Sequence, residues 1–257
     1  MKPIYAILLA CILGAVIGAA GCTTADNGDG AEMPSPIPVP DPDEVVLVDD
    51  TNEGQVIPVN ETASIIIKLP DNPSTGYVWK VTGSDGLAIT QDTYTPPETE
   101  TVGAAGVHGW TMEPRTTGLV TFGAVYYRPW EGEPSDDTYT ISFYVVPAGS
   151  DLITVTADDN GGEVAVPAGD IVLIKLEENP TTGYQWNATV GGGAAIAADT
   201  YIMSLEASQG MVGAGGTHEW FVTFPDGGDG TFDAVYARPW EEPAEDDETF
   251  SVSFTAA

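Results

Sequence analysis

Apolar residues in this chain are gathered into short, β-like runs. Ser64 to Leu69, Tyr77 to Thr82, Leu87 to Tyr94, His108 to Met112, Gly118 to Tyr127 and Tyr139 to Val146 are rich in Ile, Val, Thr and aromatic residues, and clusters of Gly, Pro, Asn and Asp separate them. β-Branched and aromatic side chains suit a pleated, half-buried surface, and the intervening residues are turn formers, so each run is predicted as a strand. No stretch beyond the leader carries a convincing helical period; Ala194 to Ala198 reads as a brief Ala-rich turn.

The pattern then repeats. Asn72-Pro73-Ser74-Thr75-Gly76-Tyr77-Val78-Trp79 returns as Asn179-Pro180-Thr181-Thr182-Gly183-Tyr184-Gln185-Trp186. The same offset carries Ile67-Lys68-Leu69 onto Ile174-Lys175-Leu176 and Asp92-Thr93-Tyr94 onto Asp199-Thr200-Tyr201. After a three-residue slip, Gly103-Ala104-Ala105-Gly106 matches Gly213-Ala214-Gly215-Gly216, and Arg128-Pro129-Trp130 matches Arg238-Pro239-Trp240. A register held over two such halves is a domain duplication, with a joint near Pro147-Ala148-Gly149-Ser150. Seven or so short strands in about 100 residues point to a Greek-key sandwich. The predicted fold is all-β: two tandem immunoglobulin-like antiparallel β-sandwiches over residues 44–147 and 151–257.

Residues 1–21 read as a signal peptide. Lys2 precedes an apolar or small run from Ile4 to Ala20, which ends at Ala19-Ala20-Gly21-Cys22. Cysteine after Ala-Gly resembles a lipobox, in which Cys22 is lipid-modified and holds an otherwise soluble protein at the outer face of the cell membrane. Residues 22–43 form a linker rich in Asp, Gly and Pro, whose alternating prolines favour an extended spacer. The second cysteine, Cys11, lies in the leader, so no disulfide, Cys-based metal site or cysteine nucleophile is expected in the folded part.

Charge removes one class of partner. Seven basic residues stand against 39 acidic ones, a formal net charge of −32. Nucleic acid is excluded, because phosphate binding needs Lys and Arg. Most of these carboxylates read as solvated surface.

The repeated motifs fall on the connections between strands, two strands apart each time. Antiparallel strands reverse direction, so such connections return to one end of a sandwich and make a composite edge. In the first loop, Asn-Pro opens a turn and Gly76 or Gly183 can take positive φ. Gly103 to Gly106 and Gly213 to Gly216 carry almost no side chain and leave backbone groups open to a partner. Arg128-Pro129-Trp130 and Arg238-Pro239-Trp240 add the residue types that most often anchor interfaces. Of three arginines in the chain, two occupy this one position. With so few cations, that placement favours a specific use; pairing with Glu131 or Glu241, or packing of Arg on a Trp ring, is the other reading.

With those three ordered motifs present twice, residues 44–257 resemble the chagasin family of inhibitors of papain-type cysteine peptidases. That family's signature is an NPTTGY-type loop, a GxxG loop and an RPW-type loop on an immunoglobulin-like sandwich; Ser74 is this chain's one departure in the first loop. The resemblance implies reversible plugging of the peptidase cleft, with Asn72 to Tyr77 and Asn179 to Tyr184 as wedges over the catalytic cysteine. It implies flanking contacts from Gly103, Gly106, Arg128, Pro129 and Trp130, and from Gly213, Gly216, Arg238, Pro239 and Trp240. Both sites are expected to work in a monomer, without cofactor or metal.

No catalytic constellation competes with this reading: GxSxG, HExxH and P-loop patterns are absent. His108 and His218, one per copy, fit packing better than metal ligation. Asp158 to Glu163 and Asp226 to Gly230 resemble calcium loops without the EF-hand spacing and read as solvated turns, with weak adventitious calcium as the other use. The alternative to inhibition is a surface adhesion or interaction module using the same edge.

Overall fold

A computed structural model describes residues 45–98, 103–131, 137–208, 210–242 and 244–256. The leader, Cys22 and the linker lie outside the described residues.

The first copy has eight strands: β1 Val45–Val48, β2 Val56–Asn60, β3 Ser64–Asp71, β4 Val78–Gly83, β5 Leu87–Thr95, β6 Gly106–Pro114, β7 Gly118–Tyr127 and β8 Thr138–Val146. The second repeats them: β9 Leu152–Thr156, β10 Glu163–Val166, β11 Ile171–Glu178, β12 Gln185–Gly192, β13 Ala195–Met203, β14 Gly216–Thr223, β15 Gly230–Ala237 and β16 Glu248–Ala256. Each copy pairs two four-stranded sheets, ordered β1-β3-β6-β5 against β2-β8-β7-β4, and β13-β14-β11-β9 against β10-β16-β15-β12.

The six strands expected in the first copy are present, and two more precede them. Both are short, and each adds to an edge in parallel: β1 to β3 in one sheet and β2 to β8 in the other. A 3₁₀ turn at Asp50–Asn52, capped by Asp49, carries the chain between the two sheets. Ala194 to Ala198 is not a turn: Ala195 begins β13, which pairs with β14 through Met203. Sheet neighbours override the weak strand preference of alanine here.

Alternation explains each core. In β3, Ile65, Ile67 and Leu69 point inward and pack with Trp110 and Met112 of β6, Phe122 of β7, and Ile141, Phe143 and Val145 of β8. In the second copy Val172, Ile174 and Leu176 meet Trp220, Val222, Phe232, Val252 and Phe254. Each fully buried side chain of this size contributes about 1.5–3 kcal/mol, which supports two sandwiches without a disulfide.

A third apolar cluster joins the copies. Val56, Tyr144 and Val146, on the outer face of the first copy, pack with Leu152, Ile171, Leu173, Ala198 and Phe221 of the second. The Tyr144 and Phe221 rings stack at 4.7 Å and 13°. Strand β11 is therefore buried on both faces from Ile171 to Ile174, whereas a strand with one face in water alternates.

Candidate functional site

Strand register places the three motif loops of each copy at one end. In the first copy Asp71 pairs with Gly106, Val78 with Tyr127, Thr95 with Val107 and Val125 with Thr138. These pairs close the strand ends that flank 72–77, 96–105 and 128–137. In the second, Glu178 and Met203 both pair with Gly216, Gln185 with Ala237, and Tyr236 with Glu248.

The first loop is a stiff tip. Pro73–Thr75 forms a 3₁₀ turn closed by Gly76 at φ 82°, and Pro180–Thr182 one closed by Gly183 at φ 84°. Proline fixes φ at the first turn position, and glycine takes the left-handed conformation that other residues avoid. Asn72 holds the turn from inside: its Oδ1 accepts from the Ser74 hydroxyl at 2.6 Å, and its carbonyl accepts from the Thr75 hydroxyl at 2.7 Å. Asn179 does the same for Thr181 and Thr182. Pro73, Ser74 and Thr75 are exposed, as are Thr181 and Thr182, while Tyr77 and Tyr184 are half-buried at the base.

The loops are tied to one another. Asn72 Nδ2 donates to the Gly103 carbonyl at 2.9 Å, and Asn179 Nδ2 to the Gly213 carbonyl at 2.7 Å, joining the first loop to the second. Arg128 lies over the Tyr77 ring at 4.4 Å, donates to the Thr75 carbonyl at 3.3 Å and pairs with Glu131 at 2.9 Å. Arg238 lies over Tyr184 at 4.7 Å and pairs with Glu241 at 3.4 Å. Arginine thus staples the third loop to the first while keeping its acidic neighbour. Pro129 and Pro239 are exposed beside it.

Trp130 and Trp240 remain 68% and 70% exposed. Each ring covers the wedge glycine: a Cβ on Gly76 would lie 2.2 Å from Trp130, and one on Gly183 would lie 2.8 Å from Trp240. Glycine serves the tip twice: it takes the positive φ, and it leaves room for the ring beside it. Gly106 and Gly216 are packed against neighbouring strands. They begin β6 and β14 and press on Tyr94 and Tyr201, so a Cβ there would meet the Thr95 carbonyl at 2.3 Å and the Ile202 carbonyl at 2.1 Å. Their small size serves internal packing, and Gly103 and Gly213 are the exposed members of the pair.

Beneath the wedge lies a support that sequence reading missed. The inward stripe of β3 ends on a buried carboxylate, Asp71, and that of β11 on Glu178. His108 spans from Asp71 at 3.1 Å to Asp92 at 2.7 Å, stacked on Trp110 at 4.2 Å. Tyr126 donates to Asp71 at 3.3 Å and accepts the backbone N–H of Asn72 at 2.8 Å, linking this cluster to the first residue of the wedge. In the second copy His218 spans Glu178 at 3.1 Å and Asp199 at 3.3 Å, and its ring lies parallel to Trp220 at 4.0 Å. Burial lowers the affinity of His218 for its proton, but the bonds and charges of Glu178 and Asp199 together outweigh it and raise the pKa above the ordinary histidine value. Tyr236 accepts the Asn179 N–H at 2.8 Å, and the longer Glu178 takes the Trp186 N–H at 2.8 Å. The signal was present: the histidine, the tyrosine and an acidic residue at each of the two carboxylate positions recur in both copies.

The model of the chagasin family of peptidase inhibitors matches residues 58–145 and again 165–254. The chain belongs to the chagasin family. Chagasin of Trypanosoma cruzi is 34% identical over 107 residues, covering 40% of this chain and 96% of its own length. Amoebiasin-1 of Entamoeba histolytica is 30% identical over 100 residues, covering 39% of this chain and 95% of its own length. Among solved structures, a cysteine protease inhibitor from Entamoeba histolytica shows 25% identity and a TM-score of 0.36, covering 39% of this chain and 95% of its own. This chagasin-family chain carries the family's domain twice.

Proposed function

We propose that each copy is a reversible inhibitor of papain-like cysteine peptidases, acting by occupation of the cleft and not by catalysis. The observation that carries this reading is the wedge: an exposed, small, hydroxyl-tipped turn locked by Asn72 or Asn179, a proline, a left-handed glycine and a flanking Trp ring. A loop already ordered before contact loses little entropy on binding, so its contacts convert to affinity. The tip presents no acidic or basic side chain, and its backbone is held by its own hydrogen bonds, so it offers a peptidase a narrow plug in place of an extended substrate. Trp130 and Trp240 supply exposed aromatic area on one flank, of the kind that dominates interface energy.

The leader supports export, and Cys22 supports a lipid anchor that would place both edges at the outer face of the membrane on the 22–43 spacer. Titration of papain with the full chain tests the inhibitory reading. Loss of peptidase activity at sub-micromolar protein is expected. Full activity at micromolar protein would instead favour an interaction module with another ligand at this edge.

A further inference from the structure

We propose that Met203 and Met211, on the second loop of the second copy, make that head select peptidases with an apolar cleft rim, so that the two heads prefer different enzymes. The inference rests on the inhibitory reading above and concerns the selectivity of the same edge.

The two second loops differ in length and chemistry. The stretch between Tyr201 and Gly213 is three residues longer than that between Tyr94 and Gly103. The first copy carries Pro96-Pro97-Glu98-Thr99-Glu100-Thr101 there; the second carries Met203 at the end of β13 and Met211 beside the glycine loop. The extra residues fold into a single helical turn, Leu205–Ser208. Ser204 Oγ accepts from the Ala207 N–H at 3.2 Å, Gly210 N–H donates to Ala207 at 2.9 Å, and Met211 N–H donates to Glu206 at 3.0 Å. Ser204 N–H reaches the Gly215 carbonyl at 3.0 Å, closing the base. These bonds hold the described residues of the loop before any partner arrives.

Three apolar side chains of this stretch face water. Met203 is 58% exposed, Met211 61% and the adjacent Val212 98%. Val212 has a counterpart in Val102, so the difference between the heads rests on the two methionines. Leaving such side chains in water is unfavourable, and Met211 and Val212 run directly into Gly213 while Met203 pairs with Gly216, so both methionines flank the glycine loop. This one is continuous with the wedge, since Gly213 accepts from Asn179. A partner seated on the Thr181-Thr182 tip therefore meets the second loop. Methionine is unbranched and polarizable and adapts to irregular apolar surface. Glu98 in the first copy, which is exposed, would instead disfavour an apolar or acidic rim and suit a basic one.

The test uses the full chain with one wedge blocked at a time, by Thr75→Arg or by Thr182→Arg, assayed against papain and a panel of cathepsins. The ratio of the two heads' inhibition constants is expected to vary at least ten-fold across the panel. Adding Met203→Ser and Met211→Ser to the second head should cost about ten-fold (~1.4 kcal/mol) on its favoured peptidase and under two-fold on its least favoured. A constant ratio, or an equal loss on every peptidase, would overturn the assignment while leaving inhibition intact. Absence of inhibition by either head would remove the inhibitory reading and this inference with it.

Discussion

The two copies agree at one end and differ on their flanks. Their wedges superpose in chemistry: glycine at φ 82° and 84°, the asparagine N–H on a tyrosine hydroxyl at 2.8 Å in both, and the asparagine amide on a glycine carbonyl at 2.9 and 2.7 Å. Their outer faces have diverged in a complementary way. Where the second copy buries Ile171, Phe221 and Ala198, register places Ser64, Thr111 and Gln91 in the first. Where the first copy buries Val56 and Tyr144, the second has Glu163 and Thr255, hydrogen-bonded to each other in water. One apolar face of each copy thus meets the other, and the matching face of the second copy is polar. A head-to-tail contact of this kind would otherwise propagate to further copies. Tyr144 and Val146 lie toward the end of β8 away from the third loop, and Ile171 begins the strand whose far end leads into the wedge. The duplication has used the ends remote from the binding edges for the joint.

The largest expected effect breaks this asymmetry. Phe221→Ala removes a fully buried ring from the joint and should cost about 3–5 kcal/mol, read from the midpoint of denaturant unfolding. Its counterpart Thr111→Ala should change stability by under about 1 kcal/mol. Equal costs at the two positions would remove the distinction between a joined and a free face.

The third loops should behave alike. Trp130→Ala and Trp240→Ala are each expected to weaken peptidase binding by their own copy by about 2 kcal/mol, measured with the other wedge blocked. A large loss in one and none in the other would show that only one edge uses its third loop.

The smallest effect concerns the support of the second wedge. His218 is held by two carboxylates that favour its charged form, so its pKa is higher folded than unfolded. The stability this adds is complete below the unfolded pKa of about 6.5 and is lost as pH rises through the folded value. Stability of the second copy should therefore decline over that window, and His218→Gln should remove the slope. A slope that survives the substitution would place the titrating group elsewhere.

Much of this was legible in the chain. Ile65, Ile67 and Leu69 alternate cleanly because one face of β3 meets water, and the three motif loops were visible through their repetition. Val45–Val48 and Val56–Asn60 were not, being short strands whose partners lie elsewhere in the chain, Ser142 to Val146 for the second of them. The support of the wedge was hidden for the same reason: Tyr126 and His108 reach Asp71 from other strands, 55 and 37 residues away. The joint left a fainter trace. Ile171-Val172-Leu173-Ile174 is an unbroken apolar run where the first copy begins with Ser64, and a strand covered on both faces needs no alternation.

The central claim is that both edges work, each on its own peptidase molecule. Calorimetric titration of papain into the full chain tests it most directly. Two binding sites per chain are predicted, falling to one when either Thr75→Arg or Thr182→Arg is introduced. A single site in the unaltered chain, or binding without loss of peptidase activity, would contradict it.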